Sequence, residues 1–264
     1  MNLNNKVIWI TGASSGLGKG LAITLSKKYD CKLILSSRRK EALEVVKSQC
    51  QNPQNIAVIP LDLGHYNTME VNVQEAISTF GTVDVLINNG GVSQRSLIMD
   101  TSIEVDKKLM EIDYLGTIAL SKALLPHFIE KQSGHFVTVT SLMGKFSSPY
   151  RSAYCGAKHA LHGFFDALRM EHQKDRINVT LICPGFVNTN VARNALTGDG
   201  SQQNTQDKAT ENGLSVDVFV ARMIKAIKKE KFEAYIGQKE VLGVYLKRFF
   251  PKLLHQFVIK SQVR

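Results

Sequence analysis

Cysteine, long apolar runs and leader-like segments are all scarce in this 264-residue chain. Its four cysteines, Cys31, Cys50, Cys155 and Cys183, form no CxxC and no paired spacing. That argues against a zinc ribbon or a disulfide framework and for free thiols in a reducing compartment. No stretch comes near the roughly 20 apolar residues that cross a bilayer. Met1 leads directly into a strand-like run at 6–10 with no cationic-then-apolar leader, so the expected location is cytoplasmic. His159 and His162 have no third ligand at metal spacing, and no metal site is expected. Hydrophobic residues make up 44% and charged residues 21%, which excludes wholesale disorder and collagen, coiled-coil or mucin-like designs. There is no internal repeat and no linker, so 1–264 reads as a single domain.

The formal charge is +10, and most of it sits at one end. Residues 225–264 hold eight lysines and two arginines against three glutamates, a net +7 that leaves +3 for the first 224. A uniformly basic surface would point to nucleic acid. Here the basic residues are interleaved with Leu242, Leu246, Phe249, Phe250, Leu253 and Phe257 at helical spacing, with Pro251 as an interruption. The basic amphipathic segment 240–264 has three open destinations: its own domain, a neighbouring subunit, or peripheral contact with an anionic membrane. No aromatic-basic sheet motif supports a nucleic-acid partner.

Apolar runs at 6–10, 32–37, 55–60, 83–87, 134–140 and 177–182, with a shorter one near 232–236, alternate with helix-period stretches. The latter fall at 16–28, 39–49, 66–80, 103–130, 152–173 and 215–229. Strands that are apolar throughout are covered on both faces. Regular βα alternation predicts an α/β fold, a doubly wound parallel sheet with helices on both faces. Residues 188–214 are rich in Asn, Gln, Thr, Gly and Asp. A connection of that length is either a substrate lid, a mobile segment or a plain surface insertion.

Thr11-Gly12-Ala13-Ser14-Ser15-Gly16-Leu17-Gly18 follows the first strand and opens the first helix. Glycines there let backbone approach a pyrophosphate at a helix N-terminus, where free N–H groups favour anions. A dinucleotide site usually places an acid at the end of the second strand. This chain has Ser36-Ser37-Arg38-Arg39, and an arginine fork grips a 2′-phosphate that an acid would repel. The expected cofactor is NADP(H), with Arg38 as the main contact; the alternative is that both arginines are only the solvated start of a helix. Asp62, in Leu61-Asp62-Leu63, is placed either to accept from an adenine amino group or to cap the helix at 66–80, a role also open to Gly64 or Asn67.

Ser141 ends the fifth strand, Tyr154 lies thirteen residues later, and Lys158 four after that. On a helix, Tyr154 and Lys158 project from one face. A neighbouring ammonium favours a phenolate, which suits Tyr154 to move a proton to or from a substrate oxygen. Ser141 is suited to hydrogen-bond the same oxygen. Met143, Phe146, Tyr150 and Phe186 are candidate pocket walls and favour an apolar carbonyl substrate.

The order of these motifs resembles the short-chain dehydrogenase/reductase family: TGASSGLG at 11–18, NNGG at 88–91, Ser141, YCGAK at 154–158 and PGFVNT at 184–189. The stretch 149–154 and the amphipathic tail resemble the branch of membrane-associated reductases near the 11β-hydroxysteroid dehydrogenase-like enzymes. The resemblance implies a Rossmann-type sheet of seven parallel strands, order 3-2-1-4-5-6-7. It implies Tyr154 as general acid/base, Lys158 on the nicotinamide ribose, and Ser141 positioning the substrate. It further implies cofactor contacts from Gly12, Ser14, Ser15, Gly16, Leu17, Gly18, Ser37, Arg38, Asp62, Leu63, Asn89 and Gly90, and from Pro184, Gly185, Val187 and Thr189. A homodimer or homotetramer packed through 103–130 and 152–173 is implied as well. One departure matters: where the family carries a fourth catalytic residue, an Asn, this chain has Asp113, which keeps the backbone carbonyl but adds a charge near Lys158. Turnover with an altered pH profile is expected. A non-catalytic dinucleotide-binding or redox-sensing protein of the same fold is the alternative.

Overall fold

The computed structural model describes residues 1–261; the last three residues of the basic segment, 262–264, lie outside the described residues. The strands are β1 (Val7–Thr11), β2 (Lys32–Ser36), β3 (Ile56–Val58), β4 (Val85–Asn88), β5 (Gly134–Val139), β6 (Ile177–Pro184) and β7 (Glu233–Ile236). They form one sheet in the order β3-β2-β1-β4-β5-β6-β7, with all six pairings parallel. The connections carry α1 (Gly16–Lys28), α2 (Lys40–Ser48), α3 (Met69–Phe80), α4 (Ile103–Met110), α5 (Gly116–Glu130), α6 (Ser152–Glu171), the short α7 (Lys208–Glu211) and α8 (Val216–Lys228).

The apolar strands divide their side chains between two cores with a period of two. Ile8, Ile10, Leu33, Leu35, Val85 and Ile87 face one core with Leu21, Leu25, Phe219 and Met223. Val7, Trp9, Ile34 and Leu86 face the other with Leu120, Leu124, Phe128, Leu161 and Phe165. Full burial of each large side chain contributes roughly 1.5–3 kcal/mol, so both faces of the sheet are fixed and the C-terminal strand edge is a rigid platform.

One expectation is corrected and one alternative falls away. The stretch 103–130 is not one α-helix: α4 runs into a π-helical turn, Glu111–Leu115, before α5 begins. The wider turn brings Asp113 into the interior, fully buried. At the end of that turn a Cβ on Gly116 would stand 2.1 Å from the Leu63 carbonyl, so the helix approaches the chain after β3 as closely as only glycine allows. The alternative role for Asp62, Gly64 or Asn67 as a cap is also not taken up: Thr68 occupies the cap position of α3 with no side-chain cap bond, and Asp62 Oδ1 accepts instead from the Gly64 N–H at 2.9 Å.

The C-terminal segment forms α9 (Leu242–Phe249) and α10 (Pro251–Lys260), broken at Pro251. Its inner face packs on its own domain, with Leu254 buried against a cluster containing Leu142, Phe146 and Cys183. Phe146 is therefore not a pocket wall: it is buried, and a Cβ on Gly243 would lie 2.7 Å from its ring. The outer face leaves Leu242, Tyr245, Phe249, Phe250, Phe257 and Ile259 exposed. No helix among the described residues is long and apolar enough to cross a membrane.

Candidate active site

Because all strands are parallel, the loops after them gather at one edge of the sheet. That edge brings together residues 12–18 after β1, Ser37 and Arg38 after β2, Asp62 and Leu63 after β3, Asn89 and Gly90 after β4, Ser141 and Met143 after β5, and Gly185, Val187 and Thr189 after β6. Pro184 is the last residue of β6 itself.

The glycine loop is fastened to the turn after β4. Thr11 Oγ1 accepts from the N–H groups of Asn89 and Gly90, both at 3.0 Å, and Asn89 Nδ2 donates to Thr11 O at 3.0 Å. Gly12 has φ +63°, and a Cβ there would sit 2.7 Å from Gly90 Cα, so the two loops require glycine to meet. Ser14, Gly16 and Leu17 are partly buried, Gly18 is buried and Ser15 is exposed at the cap of α1. Thr189 lies over the loop, within 3.5 Å of where a Gly16 Cβ would be. At the far end, Arg38 is exposed, while the neighbouring Ser37 Oγ is buried with no hydrogen-bond partner.

Lys158 and Tyr154 lie one turn apart on α6, with the Lys158 ammonium 5.6 Å from the Tyr154 ring centre. Lys158 is buried; its Nζ donates to Val139 O at 3.3 Å, at the end of β5, and lies 3.6 Å from Asp113 Oδ2. Asp113 Oδ1 accepts from the Val92 N–H at 2.7 Å, while Oδ2 has no hydrogen-bond partner. Burial pushes the Asp113 carboxyl above the usual carboxylate range, against the pull of Lys158 and of the Val92 N–H. Ser141 is buried, and its Oγ accepts from the Met143 N–H at 3.0 Å, which leaves its own O–H to donate.

Met143, Tyr150 and Phe186 are each partly buried around this edge. Tyr150 has φ +68°, a left-handed conformation that is strained for a bulky residue. Phe186 is held by its backbone, its N–H donating to Glu240 Oε1 at 3.0 Å.

Sequence reading missed the residues that tie down 188–214. The Asn188 N–H donates to Leu214 O at 2.9 Å, which closes the segment at its base. Asp207 is buried with Arg95 at 2.6 Å and Arg151 at 3.4 Å, so a carboxylate from this segment meets guanidinium groups from the loop after β4 and from the residue before α6. Burial lowers the Arg151 guanidinium to about 10, with the Arg95 charge acting in the same direction. No local pattern marks Asp207, because its partner Arg95 lies 112 positions away.

Outside this edge, His159 is exposed and His162 pairs with Glu233 at 3.2 Å. Among the described residues no group of three or more His, Cys, Asp or Glu is placed to hold a metal. All four cysteines are free and buried, and burial raises the Cys183 thiol to about 12.

Comparison with known proteins bears on the family and the fold. A family profile described as short chain dehydrogenase matches residues 6–199. Dehydrogenase/reductase SDR family member 7B of Mus musculus is 40% identical over 269 residues, spanning 99% of this chain and 82% of that protein. Dehydrogenase/reductase SDR family member 7 of Homo sapiens is 41% identical over 256 residues, spanning 94% of this chain and 75% of that protein. A crystal structure of a short-chain dehydrogenase from Streptomyces avermitilis matches with a TM-score of 0.82 at 25% identity, covering 97% of this chain and 98% of that one. At the level of fold alone, a short chain dehydrogenase/reductase from Burkholderia phymatum in complex with NAD gives 0.83 at 20% identity, with 96% of each chain covered. Strand order, motif order and near-full-length similarity place this chain in one group: it belongs to the short-chain dehydrogenase/reductase family of oxidoreductases.

Proposed function

We propose that the chain is an NADP(H)-preferring oxidoreductase that interconverts an apolar carbonyl and a secondary alcohol, with Tyr154 as general acid/base. The observation that carries this reading is the buried Lys158 ammonium beside the Tyr154 ring, on the same strand edge as the glycine loop and Ser141.

The residues fit a nicotinamide dinucleotide. Gly12 and Gly16 both have positive φ, which lets the backbone turn into the N-terminus of α1 with no side chain in the way, and the Ser37 Oγ beside Arg38 is buried with no hydrogen-bond partner, free to meet an anionic oxygen. The N-terminus of α1, with Ser14, Ser15, Gly16, Leu17 and Gly18, would hold the pyrophosphate. Ser37 and Arg38 would hold the 2′-phosphate, and Asp62 and Leu63 the adenine. Asn89, Gly90, Tyr154 and Lys158 would hold the nicotinamide ribose side, and Pro184, Gly185, Val187 and Thr189 the carboxamide end. The nicotinamide ring, when bound, supplies or accepts the hydride. Tyr154 moves the proton at the substrate oxygen, the Lys158 charge stabilises the phenolate left behind, and Ser141 donates its hydroxyl to the same oxygen. Asp113 sits behind Lys158 and sets the charge around it. Met143, Tyr150 and Phe186 contact the substrate, and segment 188–214 covers it.

For assembly, we propose a homodimer or homotetramer through α4, α5 and α6, where Ile103 and Met170 are exposed, and peripheral contact of the outer face of α9 and α10 with anionic lipid. The reaction is tested by NADPH-dependent reduction of a panel of apolar ketones and aldehydes. Tyr154→Phe should lose about 10²- to 10⁴-fold in kcat with NADPH binding retained. NADPH binding with no turnover of any carbonyl would favour the non-catalytic dinucleotide-binding or redox-sensing alternative.

A further inference from the structure

The helix that carries Tyr154 has no cap of its own. Arg151, at the cap position of α6, makes no side-chain cap bond, so the first-turn N–H groups need an acceptor from elsewhere. Gln94 supplies it from the loop after β4. Its Oε1 accepts from the Ala153 N–H at 2.9 Å and from the Tyr154 N–H at 3.3 Å. The side chain is 0% exposed, and its Nε2 lies 3.2 Å from each of Ser96 Oγ, Thr101 Oγ1 and Ser152 Oγ. Both ends of the carboxamide are therefore held, and its orientation is fixed by acceptors on one side and donors on the other.

The same loop grips its surroundings at three further points. The Ser96 N–H donates to the carbonyl of the strained Tyr150 at 3.2 Å. The Arg95 N–H donates to Leu196 O and the Leu196 N–H to Ser93 O, both at 2.8 Å, so Gln94 is flanked by a backbone bridge to segment 188–214. The Arg95 guanidinium then reaches Asp207 of that segment.

We infer that Gln94 is a positioning residue for Tyr154: its carboxamide replaces the missing helix cap and couples the seating of segment 188–214 to the place of the proton-transfer group. The inference rests on the reading of Tyr154 as acid/base. A carboxamide held at both ends fixes the first turn of α6 more tightly than water would, and proton transfer is sensitive to displacements of well under an ångström.

The test uses the full chain with NADPH and 4-nitrobenzaldehyde as an apolar carbonyl probe, beside hydrogen exchange without substrate. Gln94→Met fills the space but removes the acceptor. It should speed exchange of the Ala153 and Tyr154 amides by about tenfold. It should also lower kcat by about tenfold with KM changed less than about twofold. Gln94→Glu keeps the acceptor oxygens at a helix N-terminus and can accept from the Ser96 and Ser152 hydroxyls, the Thr101 hydroxyl staying on Leu97 O, so it should restore both readouts. Unchanged exchange at the two amides, an unchanged kcat in Gln94→Met, or equal impairment in Gln94→Glu overturns the inference. If Gln94→Met does not fold, Thr101→Val removes one anchor of the carboxamide and should move both readouts in the same direction by about twofold; no change there overturns the inference too. A Tyr154→Phe chain that keeps wild-type turnover, or a wild-type chain that reduces no carbonyl, defeats the acid/base reading itself and the inference with it.

Discussion

Asp113 stands fully buried behind Lys158, with one carboxylate oxygen bonded to the Val92 N–H and the other facing the ammonium at 3.6 Å. Burial raises its proton affinity, so it takes up a proton at higher pH than a solvated carboxylate would. Below that point the acid is neutral and Lys158 keeps its full field at Tyr154; above it a negative charge partly cancels that field. Asp113→Asn removes this ionisation while keeping shape and backbone. The variant should turn over, and the pH profile of kcat/KM should lose the inflection that Asp113 gives the wild type. Superimposable profiles would contradict the role given to Asp113. The buried charge also affects folding: because the folded-state value is raised, the contribution of Asp113 is most favourable below its unfolded value and is lost as pH rises through the folded one.

Elements join the site to the rest of the fold through two polar clusters, one buried and one half-buried. In the first, Asp207 fixes segment 188–214 to Arg95 and Arg151. Asp207→Ala leaves both guanidinium groups buried without that carboxylate and should cost about 3–5 kcal/mol, read as a fall in Tm. A variant as stable as wild type would show that the segment is held by its backbone bridges alone. In the second, Glu233 on β7 accepts from His162, Lys145 and Tyr235. Burial alone would raise the Glu233 carboxyl, but these hydrogen bonds outweigh it and lower it from 4.5 to about 2. A depressed carboxylate stabilises above its unfolded value and ceases to as pH falls through the folded one. Glu233→Gln should therefore be less stable than wild type near pH 7, by on the order of 3 kcal/mol, and the gap should close between pH 4.5 and about 2. A gap that stays constant through acid unfolding would contradict this. These clusters also mark where sequence reading stopped. The strand-end motifs were legible because each follows an apolar run that the parallel sheet brings to one edge. Gln94 was not, because the helix it caps lies 59 positions away. The π turn was hidden because the positions it turns inward, Asp113, Gly116 and Thr117, carry no apolar signal, and Phe146 was misread because the helix that buries it arrives only with Gly243.

At the scale of the whole molecule, charge and apolar surface coincide on the outer face of α9 and α10. Phe249 and Phe257 are exposed next to Lys247, Arg248, Lys252 and Lys260. Removing the whole segment would expose the Leu254 cluster, so the sharper variant is Phe249→Glu with Phe257→Glu. Sedimentation with anionic liposomes should fall by about tenfold or more in the double variant, and equal sedimentation would contradict membrane contact. The central claim, an NADP(H)-dependent reductase built on this sheet edge, is tested most directly by titrating the chain and its Arg38→Ala variant with NADPH and NADH at fixed salt. Trp9 is a convenient reporter, since it is the single tryptophan and its indole N–H donates to Ser36 Oγ at the end of β2, next to Ser37. The account predicts tight NADPH and weak NADH binding in wild type, with Arg38→Ala weakening NADPH by about 10- to 100-fold and leaving NADH unchanged. Equal affinity for the two cofactors, or binding of neither, would contradict it.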